Sequence, residues 1–136
     1  MTSNTGVPAI RPARILIVED EYFVALNAQQ ILEGAGFAVA GISANAADAV
    51  ASAVSGKVDI VLMDIRLKGP RDGIDAAIEL RSTMNLPCIF VTAHDEHAIR
   101  LRAEPAHPIG WLQKPYTDRL LIEAVNKGLV SIDTNE

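Results

Sequence analysis

The chain has 136 residues, 49% apolar and 21% charged, with a formal net charge of −5. That length suits one domain with a core of its own, and the acidic balance argues against a general affinity for nucleic acid or anionic membrane. One cysteine, Cys88, can neither staple the chain nor build a multi-thiolate metal site, and no apolar stretch approaches the ~20 residues of a membrane span, so the chain is read as cytoplasmic.

Residues 1–12 are polar, carry Pro8 and Pro12, and lack the layout of a signal peptide. They are expected to be a flexible leader. Arg14 to Val18 reads as a strand buried on both faces. Tyr22 to Glu33 reads as a helix with Val24, Ala28, Ile31, Leu32 and Ala35 inward, ended by Gly34 or Gly36. Phe37 to Ile42 is strand two. Ser43 is a candidate cap for a helix through Ser55, with Ala46, Val50 and Val54 inward and Gly56 stopping it. Val58 to Met63 is strand three. Ile74 to Thr83 is a helix with Ile74, Ala77 and Ile78 inward. Cys88 to Val91 is strand four. Asp95 is a candidate cap for a short helix to about Ala103, which Pro105 and Pro108 prevent from continuing. Ile109 to Gln113 is strand five. Thr117 can cap a last helix with Leu120, Leu121, Ala124 and Val125 inward, which Gly128 is expected to end. Residues 130–136 are expected to be a flexible tail.

Five alternations of strand and helix imply parallel pairing with right-handed crossovers. The expected product is an α/β doubly wound (βα)5 flavodoxin-like three-layer sandwich over residues 13–129. Its parallel sheet takes the order 2-1-3-4-5, the order the flavodoxin-like group is known for. Such sheets bind ligands outside the carboxyl ends of their strands.

Polar groups stop the strands at that edge. Strand one ends in Glu19-Asp20-Glu21, strand three in Asp64, strand four in Thr92, and strand five in Lys114-Pro115. Glu19, Asp20 and Asp64 crowded into one pocket repel one another, and a divalent cation resolves the conflict. An all-oxygen ligand set favours Mg²⁺. Asp20 and Asp64 suit direct ligation and Glu19 a water-mediated role. Lys114 and Thr92 could hold the oxygens of a phosphoryl group carried on the Asp64 carboxylate. Aspartate is a known nucleophile of this kind, and phosphoryl transfer needs mainly positioning and charge neutralisation.

The pieces Ile17-Val18-Glu19-Asp20, Met63-Asp64, Asp72-Gly73, Val91-Thr92-Ala93 and Leu112-Gln113-Lys114-Pro115 resemble the receiver domain of two-component response regulators, the CheY-like group. The resemblance implies a phosphoprotein with Asp64 as phosphoacceptor. Asp20 and the backbone carbonyl of Arg66 would complete the Mg²⁺ site, with Glu19 assisting and Lys114 contacting the phosphoryl group. The Lys114–Pro115 bond is expected to be cis, and Thr92 and Trp111 occupy the two switch positions. The implied donor is a sensor histidine kinase or histidine phosphotransfer protein. The implied output is a downstream protein on the helix 4–strand 5–helix 5 face, with a homodimer left open and neither nucleic acid nor membrane as partner. No separate substrate is turned over, so the chain is expected to be no enzyme. With only a short tail after Gly128, a stand-alone regulator is expected. The chain departs from the family pattern at Lys68, where a proline is usual, and at Trp111, where tyrosine or phenylalanine is commoner.

Other classes fit less well. A nucleotide-binding module wants a glycine-rich turn after strand one, where this chain has three acids. A haloacid-dehalogenase-type phosphatase wants a second acid two residues after the nucleophile, where this chain has Arg66. Taken singly, the acids read as a helix first turn complementing the dipole and Lys114 as a surface lysine. The runner-up is a receiver-like interaction module that works without phosphorylation.

Overall fold

The structure, a computed structural model, describes residues 11–134. The elements in chain order are β1 (Arg14–Val18), α1 (Tyr22–Gly34), β2 (Ala38–Ser43), α2 (Ala46–Ser55), β3 (Ile60–Asp64), α3 (Gly73–Met84), β4 (Cys88–Thr92), α4 (His97–Ala103), a 3₁₀ turn (Glu104–Ala106), β5 (Gly110–Gln113) and α5 (Asp118–Thr134). One five-stranded sheet has the order β2-β1-β3-β4-β5, and every pairing is parallel. This is the doubly wound arrangement expected from the alternation of elements. Of the expected leader, residues 1–10 lie outside the described residues, as do residues 135–136 of the expected tail.

The three central strands β1, β3 and β4 are almost wholly buried, because helices cover both faces of a parallel sheet. Alternate residues of each strand feed two separate cores. Leu16, Val18, Val61, Met63, Cys88 and Phe90 pack on one side with α2 and α3. Ile15, Ile17, Ile60, Leu62, Ile89 and Val91 pack on the other with α1 and α5. This period of two fixes which strand residues face which layer.

Several helix expectations are corrected. Asn45, not Ser43, caps α2, its side chain accepting from the Asp48 N–H at 2.9 Å. Ser43 is instead the buried last residue of β2, donating to Ser52 Oγ at 3.1 Å. The buried face of α2 is Ala46, Ala49 and Ala53, and Val54 is exposed. The small side chains at these three alanines let the helix sit close to the sheet. Ala35 is exposed as the residue after α1, and Ala25 joins Ala28 and Leu32 on its inner face. Asp95 pairs with Arg100 rather than capping α4, whose first turn follows Glu96. Leu120 is exposed while Leu121 and Val125 are buried.

Gly128 does not end α5, which runs on to Thr134. A Cβ at Gly128 would lie 3.1 Å from the Cδ1 atoms of Ile60 and Ile109. The glycine is there for close helix–sheet approach, so the helix-ending reading fails, and residues 130–134 belong to α5.

Candidate functional site

Four strand ends meet at the carboxyl edge of the sheet. β1 runs straight into Glu19 and Asp20, β3 ends on Asp64, β4 ends on Thr92, and Lys114 follows β5. Parallel register brings them level: Val18 pairs with Met63, Asp64 with Val91, and Thr92 with Gln113. The Lys114 N–H donates to the Thr92 carbonyl at 2.8 Å, which ties the last two strand ends together.

Glu19, Asp20 and Asp64 each present a carboxylate oxygen within 4.8 Å of the others. Glu19 is only 5% exposed and Asp64 only 7%, so these charges are poorly screened. Lys114 Nζ donates to Glu19 Oε1 at 2.8 Å and to Asp64 Oδ2 at 3.4 Å. The closer partner is Glu19, whose other oxygen accepts from the Glu21 N–H at 3.1 Å. Glu19 therefore holds the lysine in place, and Asp64 shares what is left of its charge. Burial first, and then the neighbouring Glu19 charge, push the Asp64 carboxyl up to about 7, against the pull of Lys114. Burial works against the Lys114 charge, yet the hydrogen bond to Glu19 and the two carboxylates leave its pKa raised. Tyr116, close by, is also pushed up by burial, Lys114 acting against the shift while Glu19 and Asp64 add to it.

Three carboxylates face one ammonium here, so the pocket is short of positive charge. An all-oxygen donor set with that imbalance fits Mg²⁺, which takes one or two carboxylates and keeps several waters. Asp20, half-buried, is the least buried acid of the three.

The loop after Asp64 is held by a close approach. A Cβ on Gly73 would fall 1.9 Å from the Asp64 carbonyl oxygen, and the Gly73 N–H donates to the Ile65 carbonyl at 2.8 Å. Only glycine lets α3 start against the backbone of Asp64. Asp72 caps α3 in a reciprocal capping box with Asp75, and Arg102 of α4 pairs with Asp72. The pair Asp72-Gly73 was visible as a motif in the sequence, but its mechanical role was not.

The remaining expected residues divide. Thr92, 5% exposed, lines the same hollow as Asp20, Asp64, Arg66, Lys68 and Lys114. Its hydroxyl is engaged with its own loop, donating to the His94 carbonyl and accepting from the His94 N–H, each at 3.0 Å. Arg66 is exposed at the rim. Trp111 lies outside the hollow, half-buried on β5 with its ring centroid 5.0 Å from that of Phe90. The Lys114–Pro115 peptide is cis. Sequence reasoning missed Arg100, whose guanidinium carbon sits 4.5 Å over the Trp111 ring. The only signal would have been a basic residue on a short helix beside an aromatic strand.

A family model described as the response regulator receiver domain matches residues 15–126. The chain belongs to this family. The receiver is 34% identical over 122 residues to the transcriptional regulatory protein PdtaR of Mycobacterium tuberculosis, covering 90% of this chain and 59% of PdtaR. It is 34% identical over 115 residues to the chemotaxis protein CheY of Thermotoga maritima, covering 84% of this chain and 95% of CheY. Among solved structures it is similar to the signal receiver domain of a modulated diguanylate cyclase from Desulfovibrio desulfuricans G20. There the TM-score is 0.84 at 33% identity, with 92% and 99% of the two chains covered. The receiver thus spans about three fifths of the length of PdtaR. Receiver domains are signalling proteins of two-component systems rather than enzymes that turn over a separate substrate, and they bind Mg²⁺ at an acidic pocket. They interact with histidine kinases and downstream effectors. Among the described residues no helix is long and apolar enough to cross a membrane.

Proposed function

We propose that this receiver accepts a phosphoryl group on Asp64 from a histidine kinase or histidine phosphotransfer protein, with Mg²⁺, and that the modification switches a partner-binding face. The observation that carries the reading is the state of Asp64. It is a buried carboxylate at a strand end, crowded by Glu19 and only partly neutralised by Lys114 at 3.4 Å.

An Asp64 oxygen forms a new O–P bond as the N–P bond of the donor phosphohistidine breaks, and the imidazole leaves with the electron pair. Lys114 is placed to balance charge on the phosphoryl oxygens. Asp20 and Asp64 would hold Mg²⁺ with the Arg66 backbone carbonyl, and Glu19 would assist. The ion supplies charge neutralisation for oxygens that three acids would otherwise repel.

Thr92 and Trp111 are the switch residues. The Thr92 hydroxyl now serves its own loop, and a phosphoryl group on Asp64 offers it a stronger acceptor. Its withdrawal from His94 would reshape the β4–α4 loop and, with it, the α4–β5–α5 face, biasing a two-state element.

The test is intact-protein mass spectrometry after incubation with acetyl phosphate and Mg²⁺. Wild type should gain one phosphoryl group and Asp64→Asn none. Equal labelling of both would move the acceptor elsewhere. No labelling of wild type would favour the interaction module that works without phosphorylation.

A further inference from the structure

Trp111 has two aromatic-scale neighbours of different kinds. Phe90 packs against it from the sheet at 5.0 Å between ring centroids. Arg100 covers it from α4, with its guanidinium carbon 4.5 Å from the ring centroid. The guanidinium does not lie there by chance of rotamer. Its Nε and Nη2 donate to the two oxygens of Asp95 at 2.7 and 2.8 Å, a planar two-point grip that sets the plane of the fork. α4 itself is anchored by buried Ala103 and by Arg102, which pairs with Asp72 and Asp75 at the start of α3.

Resting on the switch reading above, we propose that Arg100 is a positioning residue for the switch aromatic. Oriented by Asp95, it holds the Trp111 indole in the seat seen here, and activation must break that contact. Asp95 lies three residues after Thr92, in the loop that Thr92 would pull when it leaves His94. Movement of that loop drags Asp95, rotates the fork off the indole and frees Trp111. The arginine thereby ties the two switch positions together through a side chain that belongs to neither.

An exposed ion pair contributes little by itself. The contact with the indole is the part that discriminates between the two states. A partly exposed cation–π contact is worth about a two- to five-fold shift in the population of the seat.

Trp111 is the sole tryptophan, so its emission reports the seat directly. The experiment compares wild type, Arg100→Met, Arg100→Lys and Asp95→Asn, first without Mg²⁺ and then titrated with beryllofluoride and Mg²⁺ as phosphoryl mimic. Arg100→Met retains a long apolar stem but no charge. It should raise acrylamide quenching of Trp111 in the unliganded protein and lower the beryllofluoride midpoint about two- to five-fold. Arg100→Lys should restore part of both, and Asp95→Asn should shift both in the direction of Arg100→Met by less. A wild type that responds to beryllofluoride beside an Arg100→Met variant with unchanged quenching and midpoint overturns the positioning role and leaves the switch reading standing. A wild type whose Trp111 emission ignores beryllofluoride, while another probe shows it bound, removes the switch reading and this role with it.

Discussion

Asp59 and Asp64 flank one strand, β3, yet they face opposite electrostatic fates. Asp59, just before the strand, accepts two hydrogen bonds from the Arg11 guanidinium, both at 2.9 Å, and one from the Arg14 N–H at 2.8 Å. Burial alone would raise its pKa, but the hydrogen bond from Arg11, the Arg14 N–H and the two positive charges outweigh it and leave it lowered. Asp64, at the far end, is pushed up to about 7 by burial and by Glu19. Asp59, with three donors on its two oxygens, is structural. Asp64, crowded against Glu19 and only partly offset by Lys114, keeps negative charge that a bound cation would balance, which is why it marks a site.

The contrast can be broken in solution. The largest effect concerns metal affinity, read by calorimetric titration with Mg²⁺. Asp20→Ala should weaken binding by more than the about 10- to 100-fold typical of losing an outer-shell partner, while Asp59→Asn should leave it unchanged. Equal losses would mean that the two ends of β3 are not functionally distinct.

Next in size is Gly73→Ala. The added Cβ meets the Asp64 carbonyl oxygen at 1.9 Å, and backbone cannot yield as a side chain can. A loss of about 2–4 kcal/mol in urea unfolding is expected. An alanine variant as stable as wild type would show that the α3 start is loosely held.

Lys114→Ala leaves Glu19 and Asp64 facing each other with no cation between them. Labelling at Asp64 should persist at a reduced rate, while the Trp111 emission change on phosphorylation should disappear. A variant that labels and responds like wild type would take Lys114 out of the mechanism.

The pH dependence of stability distinguishes the two acids by sign. The folded-state pKa of Asp64, about 7, lies above the ordinary carboxylate value, so the folded protein binds more protons than the unfolded chain between about pH 4 and 7. Its contribution to metal-free stability therefore falls as pH rises through that window. Asp64→Asn should flatten the slope, and saturating Mg²⁺ should reduce it. Asp59 acts oppositely: its lowered pKa gives stability above the unfolded value that is lost as pH falls through the folded one. The smallest effect is thus Asp59→Asn, a slight drop in melting temperature at pH 7 that vanishes in strong acid. A metal-free protein whose stability rises from pH 4 to 7 through Asp64 would contradict the crowded-acid description.

Much of this was legible from residue order. The run Val58-Asp59-Ile60-Val61-Leu62-Met63-Asp64 showed a buried strand with a charge at its end, because burying both faces of a strand demands continuous apolar residues. The convergence of Glu19, Asp20, Asp64, Thr92 and Lys114 followed from parallel topology, which puts every strand's carboxyl end at the same edge. The misreadings share a cause. Local pattern points Val54 and Leu120 inward and ends α5 at Gly128, whereas each outcome depends on how close the helix lies to the sheet. Ala46, Ala49 and Ala53 carry the contact in α2, and the absent side chain of Gly128 carries it in α5.

Sequence alone determined the fold class, the strand edge that bears the site, and the acids and lysine gathered there, since periodicity and chain direction are local properties. Packing in three dimensions sets Lys114 nearer Glu19 than Asp64, gives Asp59 three donors where Asp64 has one, and lays Arg100 over Trp111. Those outcomes depend on distances of a few ångströms between residues far apart in the chain. Coulombic and hydrogen-bond energies vary steeply over such distances.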